Sequence, residues 1–143
     1  EDLGERIREP EISMYASAVS AVPAVRAFLL DTQRDIAAKN SVIMDGRDIG
    51  TVILPNADVK VFLTASDEAR AKRRTLELQA KGMDVKFEDV LREMRERDDN
   101  DRNREVAPAV AAPDAVLLDN SDMTVEETAD AVIALTEKAG VTK

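Results

Sequence analysis

The 143-residue sequence contains no cysteine, no histidine and no tryptophan. Without cysteine the chain has no disulfide, no thiolate nucleophile and no cysteine zinc site. Without histidine it has neither a Ser-His-Asp triad nor a histidine metal site. The side chains left for chemistry are therefore carboxylates, arginines and hydroxyls.

Long apolar runs and excess positive charge are lacking as well. No run approaches the about 20 apolar residues that cross a bilayer, and no signal-peptide core opens the chain, so we expect no membrane partner. The 20 Lys+Arg against 29 Asp+Glu give a net charge of −9. This charge argues against a broad nucleic-acid surface, because phosphates need a positive face. A hydrophobic content of 44% is typical of a globular protein, and the length fits about one domain.

Apolar spacing predicts helices that alternate with short strands. Helical periodicity predicts helices over 11–22 and 23–39, with Pro23 in the first turn of the second. Continuous apolar runs predict buried parallel strands over 41–44, 59–63 and 115–118. Further helices are predicted over 66–81, 87–104 and 124–139, the last opened by a Thr-x-x-Glu capping box. The sequence therefore predicts an α/β fold with a parallel sheet.

The segment 45–51, Asp-Gly-Arg-Asp-Ile-Gly-Thr, follows the first predicted strand. Ligands of open α/β sheets bind at the carboxyl ends of the strands. The glycines allow close backbone approach and unusual dihedrals. Arg47 can bind a phosphate with two hydrogen bonds, and Asp48 can accept one from an amine or a hydroxyl. The other interpretation is a surface turn with a local ion pair.

Arg97, Asp101 and Arg104 form a second candidate group near the end of the predicted helix 87–104. Their i, i+4, i+7 spacing places all three on one face if the helix continues. Two guanidiniums beside a carboxylate could hold an anion and a sugar hydroxyl together. The alternative is a solvated helix with i,i+4 ion pairs.

A third candidate group is the cluster Arg70, Lys72, Arg73 and Arg74. Four cations within five positions of an acidic chain favour a small polyanion, such as the phosphates of a nucleotide. The alternative is a helix face on which these cations pair with neighbouring carboxylates.

Together these segments resemble bacterial cytidylate kinases, which are nucleoside monophosphate kinases. The resemblance rests on Ala16-Ser17, Pro23-x-Val25-Arg26, Gln33-Arg34, the segment from Asp45 to Val52, Phe62-Leu63-Thr64-Ala65-Ser66, and the segment from Glu96 to Pro108. Their order and spacing match the family, and they cover essentially the whole chain. The resemblance implies ATP-dependent phosphorylation of CMP and dCMP on a parallel sheet of the P-loop NTPase type, in the cytoplasm.

The resemblance also implies which residues bind the substrate. They are Ser17, Arg26 and Asp48 for the cytosine ring, Arg97 and Asp101 for the pentose, and Arg47 and Arg104 for the CMP phosphate. Alone, Ser17 would be a small residue at a helix contact and Arg26 an exposed charge.

For the donor side, the resemblance implies a mobile lid over about 66–104 that closes over ATP and excludes water. The cations expected to contact ATP are Arg70, Arg73, Arg74 and Arg102. The γ-phosphoryl group passes in line to the CMP phosphate, with Mg²⁺ and arginines spreading the charge of the transition state. The arginines expected to act in catalysis are Arg47, Arg104, Arg73 and Arg74. No residue of the chain is predicted to bind a metal.

One departure from the family concerns its opening strand and phosphate loop, G-x-x-x-x-G-K-[ST]. The five glycines of these 143 residues do not form that pattern. We therefore expect residues 1–143 to be the CMP-binding and lid-containing, C-terminal portion of a cytidylate kinase domain. Its sheet would lack the central strand, between those at 41–44 and 59–63, and the 143 residues alone would have little or no kinase activity.

Two alternatives stay open on the sequence. One is a non-catalytic CMP-binding module, or a fragment that completes its sheet with the missing N-terminal segment or with another chain, since an uncovered apolar strand edge promotes association. The other is a charged α/β scaffold whose arginines pair only with carboxylates and which binds no nucleotide.

Overall fold

The computed structural model describes residues 4, 7, 10–103 and 105–141, without the side chains of residues 10, 11, 13 and 17. The elements in this part of the chain are α1 (Pro10–Ser20), α2 (Pro23–Lys39), a π-helical turn (Ile49–Ile53), β1 (Val61–Thr64), α3 (Asp67–Ala80), α4 (Phe87–Asn103), β2 (Val116–Asp119) and α5 (Val125–Lys138). Within these ranges, none of the helices has the length and apolar character needed to cross a membrane.

The two strands form a small parallel sheet, which confirms the predicted α/β class. Val61 lies opposite Val116, and Thr64 lies opposite Asp119. Parallel neighbours need a crossover connection, and α3 and α4 supply it between β1 and β2. Both strands therefore end at the same edge of the sheet, where α3 and α5 begin.

The strand predicted over 41–44 is wrong. These residues belong to no strand or helix, and Ile43 is 97% exposed. A strand exists only where a neighbour takes its hydrogen bonds, and the described residues place no other strand beside this segment. An apolar run indicates what a segment can bury, but it does not supply the partner.

The helix starts agree with the prediction because their signals are local. Pro23 occupies the first turn of α2. The Ser66 hydroxyl accepts a hydrogen bond from the Ala69 amide at 3.2 Å and caps α3. At α5, the Thr124 hydroxyl accepts from the Glu127 amide at 3.1 Å, and the Glu127 carboxylate accepts from the Thr124 amide at 2.8 Å. This is the predicted capping box.

Helices α3 and α4 form a hairpin around a small apolar core. Ala71, Leu78 and Val90 are buried in it, and Phe87 and Met94 pack against them. Contacts between this hairpin and the other described helices and strands are few. The hairpin therefore holds together by its own packing.

The part of the described chain that precedes β1 is built on α2. Helix α1 packs against α2, and α2 in turn contacts the π-helical turn. This arrangement brings the segment 45–51 next to two helices that precede it in the sequence.

Candidate functional site

The segment after Asp48 forms a π-helical turn, which the sequence analysis did not predict. The Asp48 carbonyl accepts hydrogen bonds from the amides of Val52 at 2.9 Å and Ile53 at 3.3 Å, and the Ile49 carbonyl accepts from the Leu54 amide at 2.7 Å. Hydrogen bonds that span five residues are rare in proteins, and those that occur are often found at functional sites. No pattern in the sequence indicates them.

Close packing explains one of the two glycines in this segment, Gly46. A Cβ atom at Gly46 would lie 2.9 Å from Cγ1 of Ile49, and one at Gly50 would lie 3.4 Å from Cδ of Lys60. Neither glycine has a left-handed φ. The packing of Ile49 therefore requires a glycine at position 46, whereas the expected unusual dihedrals are absent at both positions.

Asp48 and Arg26 form an ion pair at the start of the turn. Asp48 is buried, with 7% exposure, and its carboxylate accepts a charge-assisted hydrogen bond from the Arg26 guanidinium. Arg26 also donates to the Ser20 carbonyl at 3.2 Å. One guanidinium thus joins α1, α2 and the turn.

Asp101 is the centre of a second charged group. Its side chain, 6% exposed, pairs through the carboxylate with the Arg47 guanidinium and lies 3.9 Å from Nε of Arg97, one turn earlier in α4. Burial lowers the pKa of Arg97, and the positive charges of Arg47 and Arg74 lower it further. One buried carboxylate therefore faces an excess of positive charge.

The two charged groups line a single cleft of about 230 Å³. Its lining residues are Ala16, Ser20, Arg26, Arg47, Asp48, Arg97 and Asp101. Five predicted site residues are therefore brought together from three parts of the chain. Ser20, which the sequence analysis missed, also lines the cleft.

Two predicted residues cannot be placed. Ser17 lies in α1, but its side chain is outside the described residues, and Arg104 is outside them altogether.

The four arginines predicted to contact ATP do not line this cleft in the described part of the chain. Arg70 pairs with Asp98 at 2.5 Å and with Asp67 at 2.6 Å, and the hydrogen bond to Asp98 raises its pKa. Arg74 pairs with Glu77 at 2.8 Å. For these two arginines, the structure agrees with the alternative of cations paired with neighbouring carboxylates.

Arg102 lies with four other charged residues around a separate cleft of about 260 Å³ between α3 and α4. They are Asp67, Arg95, Asp98 and Asp99. Arg102 is 4.0 Å from Asp99, one turn earlier in its own helix.

Arg73 contacts the loop that follows β2. Its guanidinium donates to the carbonyls of Asn120 at 2.5 Å, Ser121 at 3.3 Å and Met123 at 3.2 Å. These partners lie about 50 residues further along the chain, so local spacing gives no signal of the contact. The arginine fastens α3 to the edge of the sheet at which both strands end.

The described residues contain no group of three or more acidic side chains placed to hold a metal ion.

Comparison with known proteins shows the family of the chain. The family model for cytidylate kinase matches residues 1–138. The chain belongs to the cytidylate kinase family.

Three curated cytidylate kinases illustrate the similarity. The enzyme of Fervidobacterium nodosum is 47% identical over 95% of this chain and 62% of its own length. That of Caldicellulosiruptor bescii is 51% identical over 94% of this chain and 60% of its own length. That of Vibrio vulnificus is 48% identical over 96% of this chain and 61% of its own length. The chain thus spans about three fifths of the length of the curated relatives it matches.

Proposed function

We propose that the protein transfers the γ-phosphoryl group of ATP to CMP and dCMP, giving CDP and dCDP. The observation that carries this proposal is the shared cleft. It places the buried Arg26–Asp48 pair beside the buried Asp101 and its two arginines, in a chain of the cytidylate kinase family.

The Arg26–Asp48 pair is suited to a cytosine ring. Cytosine offers an exocyclic amine that donates to a carboxylate, together with a carbonyl and a ring nitrogen that accept from a guanidinium. Uracil has a carbonyl where cytosine has the amine, so it would turn an acceptor towards Asp48. Because Asp48 is 7% exposed, water would compensate poorly for that mismatch. We assign base recognition to Arg26 and Asp48, together with Ser17.

The second charged group is suited to the phosphate and the sugar. The Arg47 side chain keeps 40% of its surface exposed while it contacts Asp101, so it can still receive an anion. We assign the CMP phosphate to Arg47 and Arg104. We assign the pentose to Arg97 and Asp101, since a buried carboxylate can accept from a sugar hydroxyl.

We propose that residues 66–104 act as the lid over the ATP phosphates. The few contacts of the α3–α4 hairpin with the other described helices and strands support movement of this unit. Closure would bring its cations to ATP, and Arg70 and Arg74 would exchange their carboxylate partners for phosphate oxygens. The cations in this role are Arg70, Arg73, Arg74 and Arg102.

The phosphoryl transfer needs no protein nucleophile. Arg47, Arg104, Arg73 and Arg74 would stabilise the charge that develops as the γ-phosphoryl group passes in line to a CMP phosphate oxygen. Mg²⁺ enters as part of the MgATP substrate. We propose that residues 1–143 are the CMP-binding and lid portion of a larger parallel sheet of the P-loop NTPase type.

An ADP-release assay with MgATP and CMP, dCMP or UMP tests this function in the whole protein. We expect turnover with CMP and dCMP, and much less with UMP. Asp48→Asn should lower kcat/KM for CMP by about 100-fold, because the carboxylate that reads the amine is lost. Arg92→Met is the matched control, since this arginine is exposed and pairs with Asp89 in the same helix. Tight CMP binding without ADP release would contradict the proposal.

A further inference from the structure

Arg34 contacts the far end of the π-helical turn. Its Nε donates to the Ile53 carbonyl at 3.0 Å, and its Nη2 donates to the Val52 carbonyl at 2.9 Å. The last carbonyls of a helical turn lack partners within the turn, and a cation is favourable at that end. A planar guanidinium can hold both carbonyls at once.

The same two residues connect Arg34 to Asp48. The amides of Val52 and Ile53 both donate to the Asp48 carbonyl. The peptide unit between Val52 and Ile53 is therefore held at both ends, since its amide donates to the Asp48 carbonyl and its carbonyl accepts from Arg34.

Helix α2 holds the turn at two points. Arg26 binds the Asp48 side chain where the turn begins, and Arg34, about two helical turns further along α2, binds the carbonyls where it ends. Among the described residues Arg34 does not line the cleft, so it acts on a ligand only through the turn.

We propose that Arg34 is a positioning residue that fixes the orientation of Asp48 towards the base. This inference rests on the proposed role of Asp48 in reading cytosine. Without Arg34 the two carbonyls turn to water, and the peptide that carries Asp48 gains freedom to move. Such a displacement weakens a hydrogen bond to the base more than it weakens phosphate contacts made by other arginines.

Calorimetric titration of the whole protein with CMP and with UMP tests the proposal. We expect Arg34→Met to lower the ratio of CMP affinity to UMP affinity by about 5- to 10-fold. Arg34→Lys should lower the ratio by an intermediate amount, because an ammonium group does not reproduce the planar pair of hydrogen bonds that the guanidinium makes. It also serves as the test if Arg34→Met does not fold. Arg92→Met, which removes an exposed arginine from α4, should leave the ratio unchanged.

The double variant Arg34→Met/Asp48→Asn makes the test specific. If Arg34 acts through Asp48, this protein has the same CMP-to-UMP ratio as Asp48→Asn. An equal loss of CMP and UMP affinity in Arg34→Met, with a lower Tm, would show a purely structural role and overturn the inference. If Asp48→Asn changes the ratio and both Arg34 variants do not, the inference alone is wrong. If Asp48→Asn also leaves the ratio unchanged, the proposed reading of cytosine fails and the inference fails with it.

Discussion

Arg47, which precedes the π-helical turn, forms an ion pair with Asp101 of α4, and Asp101 is only 4% exposed. The beginning of α4 packs on α3, whereas its last turn is fastened to the cleft by this pair. The proposed movement of the α3–α4 hairpin would therefore take place around an end that stays close to the proposed phosphate site.

Asp101→Asn should destabilise the protein. The substitution keeps the size of the side chain but leaves Arg47 and Arg97 without the carboxylate that separates their charges. Because both arginine side chains are 40% exposed, we expect a loss of about 1–3 kcal/mol in the free energy of unfolding, less than for a fully buried pair. Urea unfolding at neutral pH measures it.

The matched control for this change is Asp89→Asn. Asp89 pairs with Arg92 on the same helix, but its side chain is half exposed, so the loss should stay within about 0.5 kcal/mol. Equal losses in the two variants would show that the burial of Asp101 is not what matters.

Arg73→Met should loosen the loop after β2. Arg73 holds three carbonyls of that loop, and we expect the amides of Asn120 and Met123 to exchange with solvent about 5- to 10-fold faster without it. Hydrogen exchange resolved by residue measures this, with Arg92→Met as the control. If Arg73 binds the ATP phosphates as proposed, MgATP should raise the same rates in the unaltered protein, because Arg73 would first have to release these carbonyls. Unchanged exchange in saturating MgATP would remove Arg73 from the ATP site.

Asp67 makes the stability of the α3–α4 hairpin depend on pH in the acidic range. Hydrogen bonds from Arg95 and then Arg70 hold the pKa of its carboxyl below the usual value of about 3.9. A lowered pKa in the folded state means that the stabilisation is complete above about pH 4 to 5. It is lost as the pH falls through the folded value. Because the side chains of Arg95 and Asp67 are 50% and 39% exposed, this stabilisation stays below about 1 kcal/mol.

The measurement is an NMR titration of the Asp67 carboxyl. Arg95→Met should raise its pKa towards about 3.9. Arg92→Met, which changes an arginine in the preceding turn of α4, should leave the pKa where it is. A pKa of Asp67 that does not respond to Arg95→Met would contradict the contact.

The sequence predicts correctly those features whose contacts lie within a few residues along the chain. The starts of α3 and α5 depend on Ser66, and on Thr124 with Glu127, which contact residues within the next turn. The contacts of Arg73, and those of Arg26 and Arg34 with the π-helical turn, join residues about 20 to 50 positions apart, so spacing within a segment does not reveal them.

The candidate site divides in the same way. The closeness of Arg97 and Asp101 follows from helical spacing, as predicted. The position of Arg47 against Asp101 depends on how two distant segments meet, and the sequence placed them in one site only through the resemblance to a family. The strand over 41–44 failed for a related reason, since its hydrogen bonds require a neighbour that an apolar run does not specify.

The π-helical turn also fixes the number of residues that the chain can have at this point. Arg26 and Arg34 are spaced by the rise of α2, and they contact Asp48 and Ile53 at the two ends of the turn. An inserted or deleted residue between Asp48 and Ile53 would rotate one end relative to the other, so that one of the two arginines would lose its partner. A substitution that keeps the course of the backbone can leave the spacing between these two contacts unchanged, whereas a change in the length of the segment cannot.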